Sequence, residues 1–456
     1  MTFEALLGPG PLDAVLARVD GAPVSRRQYL ADVAALAARL PEARAMLNFS
    51  FDRYRFAVGL GAALLRGQVS LLPPNHTPHT VARLRERFPD LYALVEADSG
   101  QVDLPWVTHA GPFDTAVATG PDLIVPQVDA AQVAAYVLTS GSTGEPVPHA
   151  KPWGLLAASA RAEASRLAAS IGRDSLAGAT LVATVPAQHM YGFETSVLLA
   201  LHGGAALDAG RPFYAADVVA ALERTPRPRL LVTTPFHLKA LLESQLALPE
   251  VDGIVCATAP LAPQLAARAE AAFAAPLVEI YGCTEAGQVA TRRTTAGAEW
   301  QTFDGLRLAG DGPEASVSGG HVPEPTPLAD VLEVLAPDTF RLLGRANDLV
   351  NIAGKRSSLS HLNFHLNAIE GVVDGAFWMP PEGEDGPAVA RLIAFVVAPG
   401  VPRERLLEAL RERVDAAFLP RRLVAVASLP REATGKLTAA KLAELAAAHG
   451  LARRPH

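Results

Sequence analysis

The sequence predicts an α/β fold: a large N-terminal domain of layered, mostly parallel sheets with helices and a small β subdomain, followed by a small α+β C-terminal domain. The 456-residue chain is too long for one ordinary core, and half of its residues are apolar. Short β-branched runs alternate with amphipathic helical patterns between residues 130 and 285. The pattern changes after Gly310 and again after Gly344, so we place the domains at residues 1–344 and 345–456.

The alternating region predicts parallel βαβ units. The strand candidates are Tyr136–Leu138, Leu181–Pro186, Leu230–Pro235, Gly253–Pro260 and Leu277–Gly282. Helical patterns such as PFHLKALLESQLAL and LAPQLAARAEAAF separate them. Ligands of such sheets bind beyond the carboxyl ends of the strands, so we expect chemistry in the loops rich in Thr, Gly, Pro and His that follow these runs.

The C-terminal part of the chain has shorter elements. Residues 310–334 are rich in Gly and Pro and predict a β-turn-β segment. The small domain is predicted from strands at GVVDGAFWMP, RLIAFVVAP and RRLVAVASLP, a helix at PRERLLEALRERVDAAF and a last helix from Leu437. About 110 residues suffice for a separate domain.

Composition excludes several classes of protein. The formal net charge of −7 is spread along the chain, so there is no footprint for nucleic acid. No apolar run reaches the ~20 residues of a membrane helix, and the N-terminus lacks the basic leader of a signal peptide. We therefore expect a cytoplasmic protein without a membrane partner. Cys256 and Cys283 lie in apolar runs and are expected to be buried reduced thiols.

A hydroxyl-rich and glycine-rich turn, Thr139–Gly144, follows the first strand candidate. Its hydroxyls and successive backbone N–H groups suit phosphate oxygens. It is not a Walker-type loop, because Glu145 follows Gly144 where Lys would be needed. The other glycine pair, in GLGAAL at residues 59–64, lies within a helical run, where helix packing is the better explanation.

Five motifs in the same order resemble those of the acyl-adenylate-forming superfamily, which includes acyl- and aryl-CoA synthetases, luciferases and nonribosomal adenylation domains. They are YVLTSGSTGEP (136–146), ATAPL (257–261), YGCTEAG (281–287), LADVLEVLAPDTFRLLGRANDLVNIAGKR (328–356) and PREATGKL (430–437). The resemblance extends from about residue 25 to about residue 440. It implies that residues 1–344 form an AMP-binding (adenylation) domain and that residues 345–456 form a mobile catalytic lid.

The implied reaction joins a carboxylate to ATP, giving acyl-AMP and pyrophosphate, after which a thiol attacks the acyl carbon. The first step brings two anions together, at a cost of about 4 kcal/mol for unit charges in contact near a protein surface, so cations must stand at the point of attack. By resemblance, Lys436 is the cation between the carboxylate and the α-phosphate. Glu285 is implied as a ligand of Mg²⁺, a hard cation that prefers oxygen.

The resemblance also implies the nucleotide contacts. Thr139, Ser140, Gly141, Ser142, Thr143 and Gly144 would hold the β- and γ-phosphates, Thr284 the α-phosphate, and Ala259, Pro260, Tyr281 and Gly282 the remaining ATP surface. Asp330 would accept the ribose hydroxyls, and Arg345, fifteen residues later, would contact the nucleotide. Leu328 and Ala329 replace the Thr-Gly that usually precedes this aspartate.

The hinge between the domains is implied at Asn347, where the family commonly has Asp. Rotation about it would withdraw Lys436 and admit the thiol. Lys151 stands four residues later than the family's loop lysine. It is either a phosphate contact reached through a bulged loop or an ordinary surface residue.

The segment PAQHMYGFE, residues 186–194, falls where the family forms the mouth of the acyl pocket. His189 is implied to lie near the substrate carboxylate and to gate the thiol tunnel; a packed histidine at a strand end is the alternative. Tyr191, Phe193 and Glu194 are candidates for the pocket lining. No clear equivalent of the amine-binding aspartate of nonribosomal domains is present, which favours an acid without an α-amine, although Glu194 could substitute for it.

The context PAQHMYGFETSVLLALHGGAAL resembles a branch found with aryl polyene and xanthomonadin-type pigment pathways. That resemblance implies a hydroxybenzoate-like acid loaded onto the phosphopantetheine of an acyl carrier protein. Arg421, Arg422 and Arg431 could meet an acidic carrier helix, or they could be solvated charges. The alternatives are a CoA ligase with the same first step and a catalytically silent nucleotide-binding regulator.

Overall fold

The computed structural model describes residues 1–73, 75–96, 102–109, 124–140, 146–345, 349–352, 355–380, 392–431 and 437–451. The α-helices in these ranges are α1 Arg26–Ala37, α2 Arg53–Leu65, α3 Pro78–Arg87, α4 Trp153–Ser170, α5 Met190–Gly192, α6 Leu199–His202, α7 Ala215–Arg224, α8 Pro235–Glu243, α9 Pro263–Phe273, α10 Leu359–Asn367, α11 Arg403–Arg411 and α12 Ala439–Ala448. A π-helix spans Phe193–Leu198, and a 3₁₀ turn spans Ala416–Phe418.

The strands of the N-terminal domain fall into four sheets within the described ranges. They are β1 Phe3–Ala5, β2 Val15–Val19, β3 Ala22–Ser25, β4 Ala45–Asn48, β5 Val69–Leu72, β6 Tyr92–Val95, β7 Trp106–Thr108, β8 Gln127–Asp129, β9 Val133–Ser140, β10 Pro146–Pro152, β11 Thr180–Ala183, β12 Ala206–Asp208, β13 Arg229–Thr233, β14 Gly253–Cys256, β15 Leu277–Cys283, β16 Gly287–Arg292, β17 Glu299–Thr302, β18 Leu306–Ala309, β19 Ser316–Gly319, β20 Val322–Pro327, β21 Asp330–Ala336 and β22 Thr339–Arg345.

The largest sheet has eleven strands in the order β21-β22-β17-β16-β15-β14-β13-β11-β12-β2-β3. Its middle, from β15 to β2, is parallel, and both ends are antiparallel. A six-stranded sheet in the order β10-β9-β5-β4-β6-β7 is parallel except for the β10–β9 pair. The predicted layered, mostly parallel α/β domain is confirmed.

The predicted β-turn-β segment is confirmed as a three-stranded antiparallel sheet, β18-β19-β20. The small domain contains β23 Leu349–Ile352 paired with β24 Lys355–Ser358, and a sheet of β25 Asp374–Trp378, β26 Ile393–Val397 and β27 Arg422–Ala425. Its own apolar core forms where α10 and α11 cover that sheet, with Phe377, Leu366 and Leu410 buried.

Arg53, the first residue of α2, joins that helix to the eleven-stranded sheet. Its buried guanidinium donates to four backbone carbonyls: Ala183 at 3.1 Å, Val185 at 2.7 Å, Asp208 at 3.1 Å and Gly210 at 2.6 Å. These carbonyls lie at or beyond the carboxyl ends of β11 and β12. Burial lowers the pKa of Arg53 only to about 10, so its guanidinium stays charged at neutral pH. The charged hydrogen bonds hold this edge of the sheet in place.

Both cysteines are free thiols, as predicted, with Cys256 buried and Cys283 half-buried. Along the described parts of the chain, no helix is both long and apolar enough to cross a membrane.

Candidate active site

The loops that the sequence analysis selected lie at one edge of the eleven-stranded sheet. The neighbouring strands β11, β13, β14 and β15 are parallel, so the loops that follow them leave on the same side. His189 follows β11, the pair Ala259 and Pro260 follows β14, and Thr284 follows β15. The chemistry predicted for these loops therefore has a common location.

The turn that carries Thr284 and Glu285 depends on two glycines. A Cβ on Gly282 would lie 2.5 Å from the Gly287 carbonyl oxygen, closer than a real Cβ comes to a non-bonded atom, and Gly287 has a φ of 78°. Thr284 is half-buried and Glu285 is exposed. An exposed carboxylate fits Mg²⁺, which proteins commonly bind through one or two carboxylates together with substrate phosphates.

The turn after β14 is strained at Thr258, a residue that the sequence analysis did not select. Its φ is 82°, a conformation that costs a β-branched residue on the order of 1–3 kcal/mol. Its hydroxyl is buried without a hydrogen-bond partner. The ATAPL motif was the available signal, since Thr258 stands immediately before Ala259 and Pro260.

Tyr281 and Asp330, both predicted as nucleotide contacts, are joined by a hydrogen bond. The Tyr281 hydroxyl donates to Asp330 Oδ2 at 2.8 Å, and both residues are buried. In the β21–β22 hairpin Asp330 stands opposite Arg345, so the fifteen-residue spacing corresponds to one rung of a ladder. The Tyr281 ring packs against Trp300 and Phe340, which fixes its orientation.

Several predicted residues cannot be placed fully. Gly141, Ser142, Thr143, Gly144, Asn347 and Lys436 lie outside the described residues, and Thr139, Ser140 and Arg345 are described by their backbone alone. Their roles stay predictions. The strands on either side of the predicted phosphate loop pair with each other, with Ser140 at the end of β9 opposite Pro146 at the start of β10.

The residues proposed for the acyl pocket point in different directions. His189 precedes α5, and its Nδ1 accepts from the Tyr191 backbone N–H at 3.3 Å. The Tyr191 hydroxyl donates to the Val255 carbonyl at 2.9 Å, so its ring is turned to the sheet. Phe193 packs edge-to-face on Phe56 in the core. Only Glu194 of this set lines the cavity described next.

A cavity of about 120 Å³ lies beside the Thr284–Glu285 turn. Its walls come from β10, α4, the segment 190–194, the turn 285–287 and the β19–β20 hairpin. The polar and charged lining residues among those described are Lys151, Ser159, Glu194, Glu285, His321, Glu324 and Thr326. We call this space the Lys151 cavity.

Lys151 is buried rather than a surface residue, with 7% of its area exposed. Its ammonium donates to the Glu285 carbonyl at 3.1 Å, a bond between β10 and the motif turn. Burial lowers the pKa of Lys151, while the neighbouring Glu194 charge acts in the opposite direction. The surface alternative is therefore wrong, and the phosphate role remains a prediction.

Glu194 supplies a buried acidic group to the same cavity. Its Oε1 would lie 2.9 Å from a Cβ on Gly287, so the glycine makes room for the carboxylate. Burial raises the pKa of Glu194 to about 7, and the Lys151 charge partly opposes that shift. Ser159, whose hydroxyl is buried without a hydrogen-bond partner, lies beside this carboxylate.

A second buried carboxyl, Glu163, stands behind the first. It lies beside Thr195 and Gln288, and burial raises its pKa to about 8, so it is protonated at neutral pH. Gln288 Nε2 donates to Thr195 Oγ1 at 2.9 Å, while the Gln288 side-chain oxygen has no partner. The sequence analysis missed this group, although Glu163 in the apolar face of α4 was a detectable signal.

Comparison with known proteins identifies the family of the chain. The profile of the family described as AMP-binding enzyme matches residues 60–311. A 4-coumarate–CoA ligase of Rhodobacter capsulatus is 34% identical over 298 residues, covering 65% of this chain and 71% of the relative. A 4-coumarate–CoA ligase of Halorhodospira halophila is 31% identical over 313 residues, covering 66% and 73%.

Solved structures share the fold over nearly the whole chain. ATP-bound MatB from Rhodopseudomonas palustris superposes with a TM-score of 0.78 at 17% identity, covering 96% of this chain and 97% of that one. The Bacillus subtilis o-succinylbenzoate CoA synthetase with its acyl-adenylate intermediate gives 0.76 at 17% identity with the same coverage.

The fold and these matches define the class: an adenylate-forming enzyme, an acid–thiol ligase. The chain belongs to the AMP-binding enzyme family.

Proposed function

We propose that this protein activates a compact aryl carboxylic acid, of the hydroxybenzoate type, as its acyl-AMP and then transfers the acyl group to a thiol. The observation that carries the proposal is the Lys151 cavity, which is small, lined by buried polar groups and adjacent to the Thr284–Glu285 turn. An acid whose ring occupied it would direct its carboxylate toward that turn.

The nucleotide would bind across the same edge of the sheet. Asp330, oriented by Tyr281, would accept the ribose hydroxyls, and Thr284 would bind the α-phosphate. Glu285 would hold Mg²⁺, which supplies positive charge to the phosphates when bound. Lys436 would offset the repulsion between the substrate carboxylate and the α-phosphate.

The thiol acceptor that we favour is CoA. Both relatives reported above are named CoA ligases, and a third, from Mycobacterium tuberculosis, carries a CoA ligase name at 27% identity. A carrier protein is the second candidate, since Arg421 and Arg422 are exposed on the small domain. Arg431, proposed for the same surface, is bound to the Asp374 carboxylate at 2.7 Å, which weakens the carrier proposal.

The test of the first step is acid-dependent ATP–pyrophosphate exchange with a panel of benzoates, cinnamates and aliphatic acids. We expect exchange with hydroxylated benzoates and little with long aliphatic acids. ATP binding without exchange from any acid would instead support a catalytically silent regulator.

The second step is tested by loading the preferred acid onto CoA and onto a phosphopantetheinylated carrier protein. Faster loading of CoA is expected, and faster loading of the carrier would reverse the assignment of the acceptor. Lys436→Ala should abolish adenylate formation but spare transfer from supplied acyl-AMP. Adenylate formation by this variant would contradict the role given to Lys436.

A further inference from the structure

We propose that Lys151 and Glu194 are the specificity-determining residues for the acid, and that together they bind a hydroxyl group on its ring. The inference rests on the function proposed above. It assigns to Lys151 a substrate contact in place of the phosphate contact that the sequence left as one of two alternatives.

The Lys151 cavity has the volume needed for one aromatic ring. The cavity measures about 120 Å³. An engineered protein cavity of about 150 Å³ binds benzene, so the two spaces are of the same order. A single aromatic ring would therefore find room in the Lys151 cavity.

The chemistry of the lining selects the substituent on that ring. Lys151 can only donate hydrogen bonds, whereas ionised Glu194 can only accept them. No direct salt bridge joins these two residues in the part of the chain that the structure describes, although each charge affects the pKa of the other. A hydroxyl accepts from an ammonium and donates to a carboxylate, so it satisfies both groups at once.

Other substituents would fit this pair less well. A second carboxylate would be attracted by Lys151 but repelled by Glu194, and an amine would meet the reverse, so neither charge gains enough to offset its loss of water. A purely apolar ring would offer no partner to the two buried charged groups that line the cavity, which is costly even though Lys151 keeps its bond to the Glu285 carbonyl. The lining therefore favours a neutral hydrogen-bonding group over anionic, cationic and apolar ones.

The experiment compares kcat/KM in ATP–pyrophosphate exchange for 3-hydroxybenzoate, 4-hydroxybenzoate and benzoate. The wild-type enzyme should prefer one hydroxylated acid over benzoate by at least about tenfold, because the site holds buried groups that only the hydroxyl satisfies. Equal kcat/KM values for all three acids would overturn the inference, whatever the variants do.

Two substitutions then test whether Lys151 and Glu194 cause the preference for the hydroxylated acid. Lys151→Met and Glu194→Gln should each lower the hydroxybenzoate-to-benzoate ratio by about tenfold, mainly through the KM for the hydroxylated acid. The KM for ATP should stay within about twofold of wild type. Matched controls are Lys441→Met and Glu223→Gln, which make the same chemical changes outside the cavity lining and should leave the ratio unaltered.

Two results would be decisive against the inference. If Lys151→Met raised the KM for ATP equally with every acid and kept the ratio, Lys151 would be a phosphate contact. If no acid supported exchange by folded, ATP-binding wild-type protein, the proposed function itself would fail. Melting temperatures identify variants that do not fold. If a variant does not fold, the comparison of the three acids with the wild-type enzyme decides whether the inference holds.

Discussion

Glu163 is a buried carboxyl that titrates far from its ordinary range. The folded protein holds its proton up to about pH 8, whereas the unfolded chain releases it near pH 4.5. Folding therefore takes up a proton between these values, and the free energy of unfolding falls as the pH rises through that interval. The groups around it are Thr195, Gln288 and the Glu194 carboxyl.

Glu163→Gln removes this titration, so the variant should gain stability relative to wild type as the pH rises from about 5 to about 8. The slope expected is roughly 1.4 kcal/mol per pH unit, accumulating to a few kcal/mol. Melting temperatures measured across this range check it, with Glu223→Gln as the surface control. Parallel profiles for wild type and Glu163→Gln would show that Glu163 ionises normally.

We expect Tyr281 to act on nucleotide binding through Asp330, to which its hydroxyl donates. Tyr281→Phe removes the 2.8 Å hydrogen bond to Asp330 Oδ2 and leaves a buried carboxylate with one donor fewer. We expect a loss of about 1–2 kcal/mol in stability and a several-fold higher KM for ATP, with little change in the KM for the acid. Tyr214→Phe, at a tyrosine that is 72% exposed, is the control. An unchanged KM for ATP would separate Tyr281 from ribose binding.

At the level of elements, the two glycines of GLGAAL serve the packing of α2, as predicted. A Cβ on Gly59 would lie 2.5 Å from Asn48 Nδ2 and 2.6 Å from Leu94 Cδ2. A Cβ on Gly61 would meet the Tyr29 hydroxyl at 2.6 Å. The helix therefore approaches β4, β6 and α1 more closely than a side chain would allow.

Gly59→Ala should destabilise the protein by about 1–3 kcal/mol, because overpacking outweighs the gain in helix propensity of about 1 kcal/mol. Gly297→Ala, where a Cβ meets nothing within 4 Å, should lie near zero. Urea unfolding of both variants measures the difference. A stabilised Gly59→Ala would mean that α2 has room to move away from β4.

One predicted element is shorter in the structure. The pattern PRERLLEALRERVDAAF predicted a helix over residues 402–418, but α11 ends at Arg411 and a separate 3₁₀ turn covers Ala416–Phe418. Asp415 explains the break, since its side chain accepts from the Ala417 N–H and begins the new turn. Its carboxylate also binds Lys355.

At the scale of the whole molecule, Lys239 connects the two domains. It lies on α8 of the large domain, and its ammonium donates to the backbone carbonyls of Val372 and Val373 in the small domain. The Lys239 ammonium is partly removed from water, and this burial lowers its pKa. This bond helps to hold the arrangement of the domains in the structure.

Lys239→Met should free the small domain from this contact and raise the radius of gyration measured by small-angle scattering. Hydrogen bonds from a charged donor are worth about 1.5–3 kcal/mol, enough to shift a domain equilibrium by tenfold or more. Lys441→Met is the control. Superimposable scattering curves would show that other contacts fix the small domain.

The sequence by itself determined the layout of the fold and the identity of the motif turns. Strand and helix periodicity, and the residues that must be glycine, are local properties, so β13 to β15 and the glycines around Thr284 could be predicted. Even the spacing of Asp330 and Arg345 reflected a local hairpin.

Only the tertiary structure decided which side chains line the Lys151 cavity. Tyr191, Phe193 and Glu194 are near neighbours in sequence, yet two face the core and one faces the cavity, because the turn of α5 and the following π-helix sets their directions. Lys151, Glu163 and Glu194 lie on separate elements, and no local sequence pattern shows that folding brings them together in the interior. Burial depends on the packing of distant elements, and that packing gives these groups their charge states and their chemistry.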